Sequence, residues 1–591
     1  MKPEERSSKF RNWRCQIRKA IIYRHVVTLL FFIGLTIGMT WPLAQHMNTS
    51  VVGQVGDNVY FVWLFGWFRK AIFELNTSPF VVPFLNYPEG WSLAHTEMSP
   101  ATLAIGFPFS FIAGNVFAYN FSALATFVLS GFFMYFWVQR VTKNQWAGII
   151  AGSFFAFSPF RFAHFRAGHL NLLGTMWLPL YFMGFFELLQ ERKASRRMVW
   201  LTGISLGLIG LSSIYYLYAT LLISLFVVVV YLIFHRQLIR NPTFWRQGFT
   251  ALLISIPLIL AAVLPFIQLE SQGGLQSRDV FNVVGGSASL SDFILPSTDH
   301  FLIGPWISEK FSRNHWIEGT LYLGVIPTAL SAIAIVKGWK SSQRRKLLIY
   351  LLLIGMFGLL FALGTHLHWN EKIVDMPIPQ ILRARLDRES IHIRLPVFYL
   401  FQSMPMFSRL RTFKRFGVFV LLSISVLSGL GIDRFREGVS ARIWKITAPL
   451  LFLLVMFEVY PGPYKNFAIV EPRPVDYWLA EQSSDGAVVQ FPFNQVEDQD
   501  QVYNTLTHGK PFIGGFFNAF PPKQYLEIRP VMEGFPDEAS LALLRNLQVK
   551  FILVDGTAYE KFIDVQEAIE DLGLELRVIF GNDYVYMFSS N

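Results

Sequence analysis

Two arginines and two histidines crowd one short stretch between long apolar runs. They are Arg161, His164, Arg166 and His169, within Ser158-Pro-Phe-Arg-Phe-Ala-His-Phe-Arg-Ala-Gly-His-Leu170. Because an arginine binds phosphate oxygens through two parallel N–H groups, this cluster favours an anionic ligand such as a lipid phosphate. The alternative is that the side chains sit at the head-group level of a membrane, with only their charged ends in water.

A second basic cluster occurs in Phe407-Ser-Arg-Leu-Arg-Thr-Phe-Lys-Arg-Phe416, which contains Arg409, Arg411, Lys414 and Arg415. This density of positive charge is suited to holding a phosphate group at a membrane surface. The alternative is a long loop that crosses the membrane whatever its charge.

Acidic side chains stand at the edges of apolar runs. Asp57 opens an aromatic-rich stretch, Gly56–Phe68, where it is either a helix cap or a functional carboxylate at the membrane surface. Glu318 begins an apolar run and is either a functional acid or a helix-end charge stabilised by the helix dipole. With Asp299, His300 and His315 it could build a metal site, although their spacing is not diagnostic of one.

The elements that carry these residues are typical of a membrane protein. The chain is 53% hydrophobic and 15% charged, well below the roughly 25% charge of soluble domains. Its net charge of +11 does not indicate nucleic-acid binding, since about half of the Lys and Arg residues lie in short stretches beside apolar runs. The single cysteine, Cys15, excludes an intrachain disulfide.

Hydropathy predicts about eleven membrane spans. They are residues 25–43, 117–138, 145–160, 170–189, 198–213, 216–234, 249–269, 318–336, 347–364, 416–432 and 446–461. Residues 100–114 are apolar but short and contain Pro108, so we interpret them as a re-entrant or interfacial element, or as an extension packed against the next helix.

Loop charge predicts the orientation of these spans. With the basic N-terminus (1–24) in the cytoplasm, the six short cytoplasmic stretches hold 26 of the 51 Lys and Arg residues. The membrane domain (25–461) then exports three long loops, 44–99, 270–317 and 365–415. Residues 462–591 are predicted to form a small extracytoplasmic α/β domain, because strand-like and amphipathic helical segments replace the apolar runs there.

No motif of a soluble enzyme is present, neither a P-loop nor a His-Glu-x-x-His sequence. The pattern resembles the GT-C superfamily of membrane glycosyltransferases. In that superfamily a long first exported loop carries an acid soon after the first helix, and Asp57 occupies this position here. The resemblance covers roughly residues 20–460 and implies a polyprenyl-phosphate-linked sugar as donor.

The resemblance also implies roles for single residues. Asp57 would be the catalytic base or orient the acceptor, and we count Glu318 as a second catalytic candidate. The substrate-binding candidates are Arg161, His164, Arg166, His169, Arg411 and Arg415. Many GT-C enzymes carry a second acidic pair in the first loop; the nearest candidate here is Glu97, so dependence on a divalent metal ion stays open, with Glu97, Asp299 and His300 as candidate ligands.

The chain also resembles bacterial membrane proteins labelled as related to 6-pyruvoyl-tetrahydropterin synthase. Gly168-His169-Leu170, Glu318 with Leu321-Tyr-Leu-Gly324, Leu410–Phe416 and His508-Gly-Lys-Pro-Phe-Ile-Gly-Gly515 carry this likeness. It implies no pterin chemistry, because the metal-binding histidine triad of the soluble enzyme is not recognisable here.

Together these observations predict a bacterial plasma-membrane glycosyltransferase that acts on a glycan, lipid or protein acceptor outside the cytoplasm. The alternative is a non-enzymatic scaffold or a transporter for lipid-linked glycans. A transporter should carry charges in mid-span and paired broken helices, and the predicted spans show neither pattern.

Overall fold

The protein is described by a computed structural model that covers residues 22–190, 193–271, 279–314, 316–378, 383, 389–403, 407–483, 485–517 and 521–589. His315 and residues 1–21 of the predicted cytoplasmic N-terminus lie outside the described residues.

The membrane part is helical. Its helices are α1 (Ile22–Met39), α2 (Asp57–Arg69), α3 (Pro100–Ser110), α4 (Asn115–Thr142), α5 (Gln145–Ala156), α6 (Pro159–Arg166), α7 (Leu170–Leu173), α8 (Trp177–Leu188), α9 (Arg196–Ser212), α10 (Ile214–Phe234), α11 (Pro242–Ser271), α12 (Val280–Val284), α13 (Leu290–Ile294), α14 (Gly304–Lys310), α15 (Trp316–Gly319), α16 (Val325–Gly338), α17 (Ser342–Ala362), α18 (Pro396–Ser403), α19 (Gly417–Arg436) and α20 (Ala441–Val459). Short strands β1 (Ser50–Val52), β2 (Val81–Val82), β3 (Trp91–Ser92), β4 (His368–Trp369), β5 (Lys372–Ile373), β6 (Asp375–Pro377) and β7 (Ser390–His392) lie in the connecting loops.

Six of the described helical segments are long and apolar enough to cross a membrane: Ile22–Met39, Asn115–Thr142, Ile214–Phe234, Pro242–Ser271, Arg344–Ala362 and Phe413–Arg436. The protein is therefore an integral membrane protein, as its composition predicts. The other five predicted spans fall on helices outside this set. Of these, 145–160 is shortened to α5, 170–189 is divided into α7 and α8, and 318–336 is divided into α15 and α16. The number of eleven spans and their orientation stay predictions.

The helix α19 lies at the centre of the membrane part, where α5, α16 and α17 pack against it. Small residues permit this packing: a Cβ atom at Gly431 would lie 1.9 Å from the backbone oxygen of Leu330. Close approach of helix backbones through glycine is common in membrane helices, because dispersion contacts rather than hydrophobicity hold such helices together. Residues 100–110 form α3, which contains Pro108 and packs against α4.

The C-terminal segment, which we define as residues 462–589, has a different composition and a different fold. Its helices are α21 (Pro474–Glu481), α22 (Gln495–His508), α23 (Lys523–Met532), α24 (Glu538–Asn546) and α25 (Phe562–Asp571). Its strands are β8 (Phe467–Ile469), β9 (Ala487–Phe491), β10 (Val549–Asp555), β11 (Leu574–Phe580) and β12 (Asp583–Phe588). The last four make one mixed sheet in the order β11-β12-β10-β9, with β9 parallel to β10 and the other pairs antiparallel.

Candidate active site

The helix α6 and the turn after it bring two histidines together. Pro159 starts this helix, and Gly168, with φ +79°, reverses the chain after it. A positive φ is adopted at little cost only by glycine, so this turn depends on Gly168. The backbone N–H of His169 donates to the carbonyl of His164, and the Nδ1 atoms of the two rings lie 2.8 Å apart.

Asp57 reaches this pair from the first long loop. Its helix has Gly56 at the cap position, so Asp57 is not the cap residue, and its Oδ2 lies 3.3 Å from His169 Nε2. Asn58 is fully buried, and its side chain donates to the carbonyls of Val52 and Gln54 and accepts from the amides of Gly56 and Val59.

The turn at Gly168 also sets how closely Asp57 and His169 approach. A Cβ atom at Gly168 would lie 2.2 Å from the backbone nitrogen of Asn58, so only glycine allows the two loops to meet as they do. The buried Asn58 network and the absence of a side chain at Gly168 therefore both hold Asp57 against His169.

Glu318 and Arg415 complete the arrangement on the other side of His164. The Oε1 atom of Glu318 accepts hydrogen bonds from Arg415 Nε (2.9 Å) and Nη2 (2.6 Å), and the guanidinium lies over the ring of Tyr215 at 5.1 Å. The Oε2 atom of Glu318 faces His164 Nε2 at 3.7 Å. The five residues thus form one series, which we call the polar chain: Asp57, His169, His164, Glu318 and Arg415.

Hydrogen bonding within the polar chain determines which atoms are acceptors. If His169 donates its Nε2 proton to the Asp57 carboxylate, its Nδ1 accepts from His164 Nδ1, which leaves His164 Nε2 without a proton. This nitrogen and Glu318 Oε2 are buried atoms with no hydrogen-bond partner among the described residues. Two acceptors that face each other at 3.7 Å leave a place for a cation or for a donor from a ligand.

A proton on His164 Nε2 would give Glu318 Oε2 a donor, but the burial of His164 opposes this protonation. Burial lowers the pKa of His164 well below its usual range, although the carboxylate of Glu318 acts in the opposite direction. Burial would raise the pKa of Glu318, but the charge of Arg415, together with His164 and the hydrogen bond from Arg415, lowers it to about 2. Glu318 is therefore a carboxylate at neutral pH, opposite a neutral imidazole.

A divalent metal ion is an alternative occupant; if His169 binds it, the ion replaces the hydrogen bond between the two histidines. One donor atom from each of His164, His169 and Glu318 lies within 4.8 Å of the others. Nitrogen and oxygen ligands bound at about 2.1 Å stand roughly 3.4 Å apart around a tetrahedral ion, close to the spacing between His164 and Glu318. Imidazole with carboxylate is a donor set suited to zinc and manganese.

The three metal candidates from the sequence lie outside this group of donor atoms. Glu97 accepts from Asn171 Nδ2, from Ser213 Oγ (3.0 Å) and from the backbone amide of Tyr215 (3.1 Å). Asp299 forms an ion pair with Arg166. The ring of His300 bonds the carbonyl of Phe457 and the amides of Leu302 and Ile303.

The three remaining substrate-binding candidates have separate surroundings. Arg161 is 1% exposed and donates to the carbonyls of Ala156 and Leu173 and to the hydroxyls of Thr126 and Thr175, so the protein itself satisfies most of its N–H groups. Arg166 pairs with Asp299 and lies over Trp316 at 4.9 Å. Arg411 is exposed.

Sequence reasoning missed residues that hold Arg415 of the polar chain and the neighbouring Glu97 in place. Tyr215 supports Arg415, and Ser213 and Asn171 hold Glu97. The polar pair Ser212-Ser213 between two apolar runs was the available sequence signal, because a hydroxyl that is buried between apolar helices needs a hydrogen-bond partner.

A cavity of about 120 Å³ lies beside Glu97. Its wall is mostly apolar and is formed by the start of α3, the break between α9 and α10, and the middle of α11. The lining residues are Phe80, Glu97, Met98, Ser99, Pro100, Gly210, Leu211, Ser212, Ser213, Ile214, Ala261, Ala262 and Phe266.

Solved structures show which fold this is. The mycobacterial arabinofuranosyltransferase AftD matches 96% of the chain with a TM-score of 0.57 and 15% identity, and the chain spans 40% of that enzyme. The oligosaccharyltransferase of Archaeoglobus fulgidus, in its apo form, matches 96% of the chain with a TM-score of 0.50 and 14% identity, over 75% of its own length. The chain therefore has a helical membrane fold like that of these two transferases, as the sequence predicts; at these identities the likeness concerns the fold alone.

None of the curated proteins matches the chain. The resemblance to proteins related to 6-pyruvoyl-tetrahydropterin synthase is not confirmed. One family model matches residues 26–429, which is more than half of the sequence. The protein therefore belongs to the family described as a domain of unknown function, DUF6311.

Proposed function

We propose that this protein is a membrane glycosyltransferase of the GT-C type. It transfers a sugar from a polyprenyl-phosphate donor to a glycan, lipid or protein acceptor of the cell envelope, on the extracytoplasmic side of a bacterial plasma membrane. The observation that carries the proposal is the convergence of Asp57, His164, His169, Glu318 and Arg415 from four separate parts of a chain with this fold. A scaffold would have no need for this convergence.

Asp57 is the general base of the proposed reaction. Its carboxylate takes the proton of the acceptor hydroxyl while the hydroxyl oxygen forms a bond to C1 of the sugar. The bond between C1 and the phosphate oxygen breaks, and the phosphate leaves with the electron pair, so the configuration at C1 inverts. His169, 3.3 Å from Asp57, holds the carboxylate in place as a hydrogen-bond donor.

Arg415 is the best placed of the candidate cations for the departing phosphate. Glu318 accepts from its Nε and Nη2, and the Tyr215 ring supports its plane, so the guanidinium is held in one orientation. A charge fixed before the reaction stabilises the leaving group without any reorganisation. Arg166 and Arg411 are the further candidates, and Arg161 has a supporting role in the turn at Leu173–Thr175.

The donor set of His164, His169 and Glu318 is suited to a divalent ion. Such an ion, when bound, supplies positive charge near the phosphate. The mostly apolar cavity beside Glu97 suits the first isoprene unit of a lipid donor, since a hydrocarbon group gains free energy when it leaves water for such a wall.

The test is sugar transfer by the full-length purified protein from a panel of polyprenyl-phosphate sugars. Asp57→Asn removes the base and keeps the shape, so transfer should fall by about 10³-fold. Asp564→Asn, at an exposed acid in the C-terminal segment, is the matched control and should retain activity. Full activity in Asp57→Asn contradicts the assignment, and chelation followed by addition of Mn²⁺ or Zn²⁺ measures the dependence on metal.

A further inference from the structure

The strand before Asp57 is completed by the C-terminal segment. β1 pairs antiparallel with β8, so that Ser50 lies opposite Ile469, Val51 opposite Ala468 and Val52 opposite Phe467. The pairing extends at both ends, since the amide of Gly53 donates to the carbonyl of Asn466 and the amide of Val470 donates to that of Thr49. The chain therefore enters the turn at Asp57 from a strand that residues 462–589 hold.

The segment His508–Gly515, which the sequence marked without giving it a role, ties the same two regions together. On one side Val488 of β9 exchanges backbone hydrogen bonds with Pro511 and Ile513, at 2.8 and 2.9 Å. On the other side the amide of Phe512 donates to Phe84, and the amides of Tyr87 and Asn86 donate to Phe512 and Gly514. The C-terminal sheet is thus continued into the first long loop.

A third contact lies along the helix that Asp57 begins. α22 packs against α2, where Trp63 Nε1 donates to Thr505 Oγ1 at 3.4 Å. Phe517 is buried with its ring centre 4.6 Å from that of Tyr60, 5.6 Å from that of Trp63 and 6.1 Å from that of Trp91. Aromatic contacts of this kind stabilise a fold by more than the burial of their apolar surface alone provides.

We infer that the C-terminal segment is a positioning element of the active site, with Phe517 as its main contact to the helix that presents Asp57. The strand before Asp57, the loop at residues 84–87 and the face of α2 are all held by residues 462–589. A residue at the start of a helix that is held by strand and helix contacts has little freedom to move, and proton transfer from an acceptor requires such fixed geometry. The inference rests on the proposed role of Asp57, whereas the anchoring itself is measurable without any transfer reaction.

The experiment compares two buried phenylalanines of the same segment in the full-length protein. Phe517→Ala removes the ring that contacts α2, whereas Phe535→Ala removes a ring that stacks on Phe491 at 3.7 Å within the C-terminal segment. Hydrogen–deuterium exchange of a peptide covering residues 57–69 should rise about tenfold or more in Phe517→Ala and stay unchanged in Phe535→Ala. In the transfer assay Phe517→Ala should lower kcat about tenfold and leave the KM for the donor within about twofold.

The exchange measurement tests the anchoring of α2, and the transfer assay tests the proposed function. Unchanged exchange in residues 57–69 of Phe517→Ala overturns the inference, whatever the activity. Raised exchange together with a wild-type protein that transfers no sugar keeps the anchoring and removes the proposed function. If Phe517→Ala does not fold, Thr505→Val removes the hydroxyl that accepts from Trp63 and donates to the carbonyl of Val502; raised exchange near Trp63 supports the anchor and unchanged exchange contradicts it.

Discussion

Two clusters of buried charge in this molecule differ in how fully their hydrogen bonds are satisfied. In the first, which we call the Asp292 cluster, one fully buried carboxylate faces two cations: Arg313 Nη1 at 2.7 Å and Lys414 Nζ at 4.0 Å. Oδ1 accepts from Arg313, and Oδ2, which faces Lys414, accepts from the amide of Ser289 at 2.9 Å. Both oxygens of Asp292 thus have partners, and the cluster joins the long loops 270–317 and 365–415.

The polar chain is only partly buried, and its hydrogen bonds are not all satisfied. His164 Nε2 and Glu318 Oε2 face each other with no hydrogen-bond partner in the described part of the chain, and the side chain of Asp57 is 29% exposed. The same contrast occurs within one short helix, where Arg161 is bound by four protein groups and His164 is not. Burial of charge therefore does not identify a site by itself; two unpartnered acceptors that face each other among converging ionisable side chains are a more specific sign.

The largest expected difference between the clusters is in activity. Glu318→Gln removes the charge that orients Arg415, so we expect transfer to fall about 100-fold. Because the side chains of Glu318 and Arg415 are 18% and 17% exposed, water remains near the freed guanidinium and the melting temperature should change little. Transfer rates and thermal unfolding of the purified variant measure both.

The corresponding substitution at Asp292 should lower the free energy of unfolding rather than the activity. Asp292→Asn leaves the buried charges of Arg313 and Lys414 without their carboxylate, which costs about 3 kcal/mol. The kcat of the molecules that remain folded should be unchanged. A variant with normal stability and lost transfer would place Asp292 in the site and remove the distinction between the clusters.

A smaller effect is expected at the turn between the loops. Gly168→Ala places a Cβ atom against the backbone nitrogen of Asn58, so Asp57 and His169 must move apart and transfer should fall about tenfold. Gly114→Ala is the control, because Gly114 has a similar φ of +88° but no atom within 4 Å of the added Cβ. Equal losses in the two variants would show that backbone strain alone is responsible.

The smallest effect concerns pH and the C-terminal segment. Burial, and to a lesser extent the charges of Lys510, Arg473 and Lys70, lower the pKa of His508 to about 3. Below about pH 6.5 His508 binds a proton in the unfolded chain but not in the folded protein. The free energy of unfolding therefore falls as the pH decreases from 7 to 5.

His508→Gln should reduce this slope by at most about 1.4 kcal/mol per pH unit and leave the pH profile of transfer unchanged. His392→Gln, at an exposed histidine, is the control. Urea unfolding of the full-length variants at several pH values measures the slope. A transfer profile that shifts with His508 would connect the residue to the chemistry rather than to the fold.

The sequence by itself determined the class of protein and the main chemical groups. Apolar runs and their flanking charges are local properties, so hydropathy identified a helical membrane protein, and spacing identified Asp57, the Arg161–His169 stretch and Glu318 as unusual. Span lengths were less accurate, because neighbouring helices shelter short elements such as α5 and allow a helix to end early.

Only the tertiary structure decided which of these groups act together. Glu318 and Arg415 are 97 residues apart, and their pairing depends on how the intervening helices pack. The sequence also did not indicate that Arg161 is bound by the protein itself while His164 keeps an unpartnered nitrogen. Whether an N–H group is already satisfied depends on carbonyls and hydroxyls that other helices supply. The pairing of β1 with β8 likewise joins distant parts of the chain, and no local pattern indicated that the C-terminal segment holds the strand leading to Asp57.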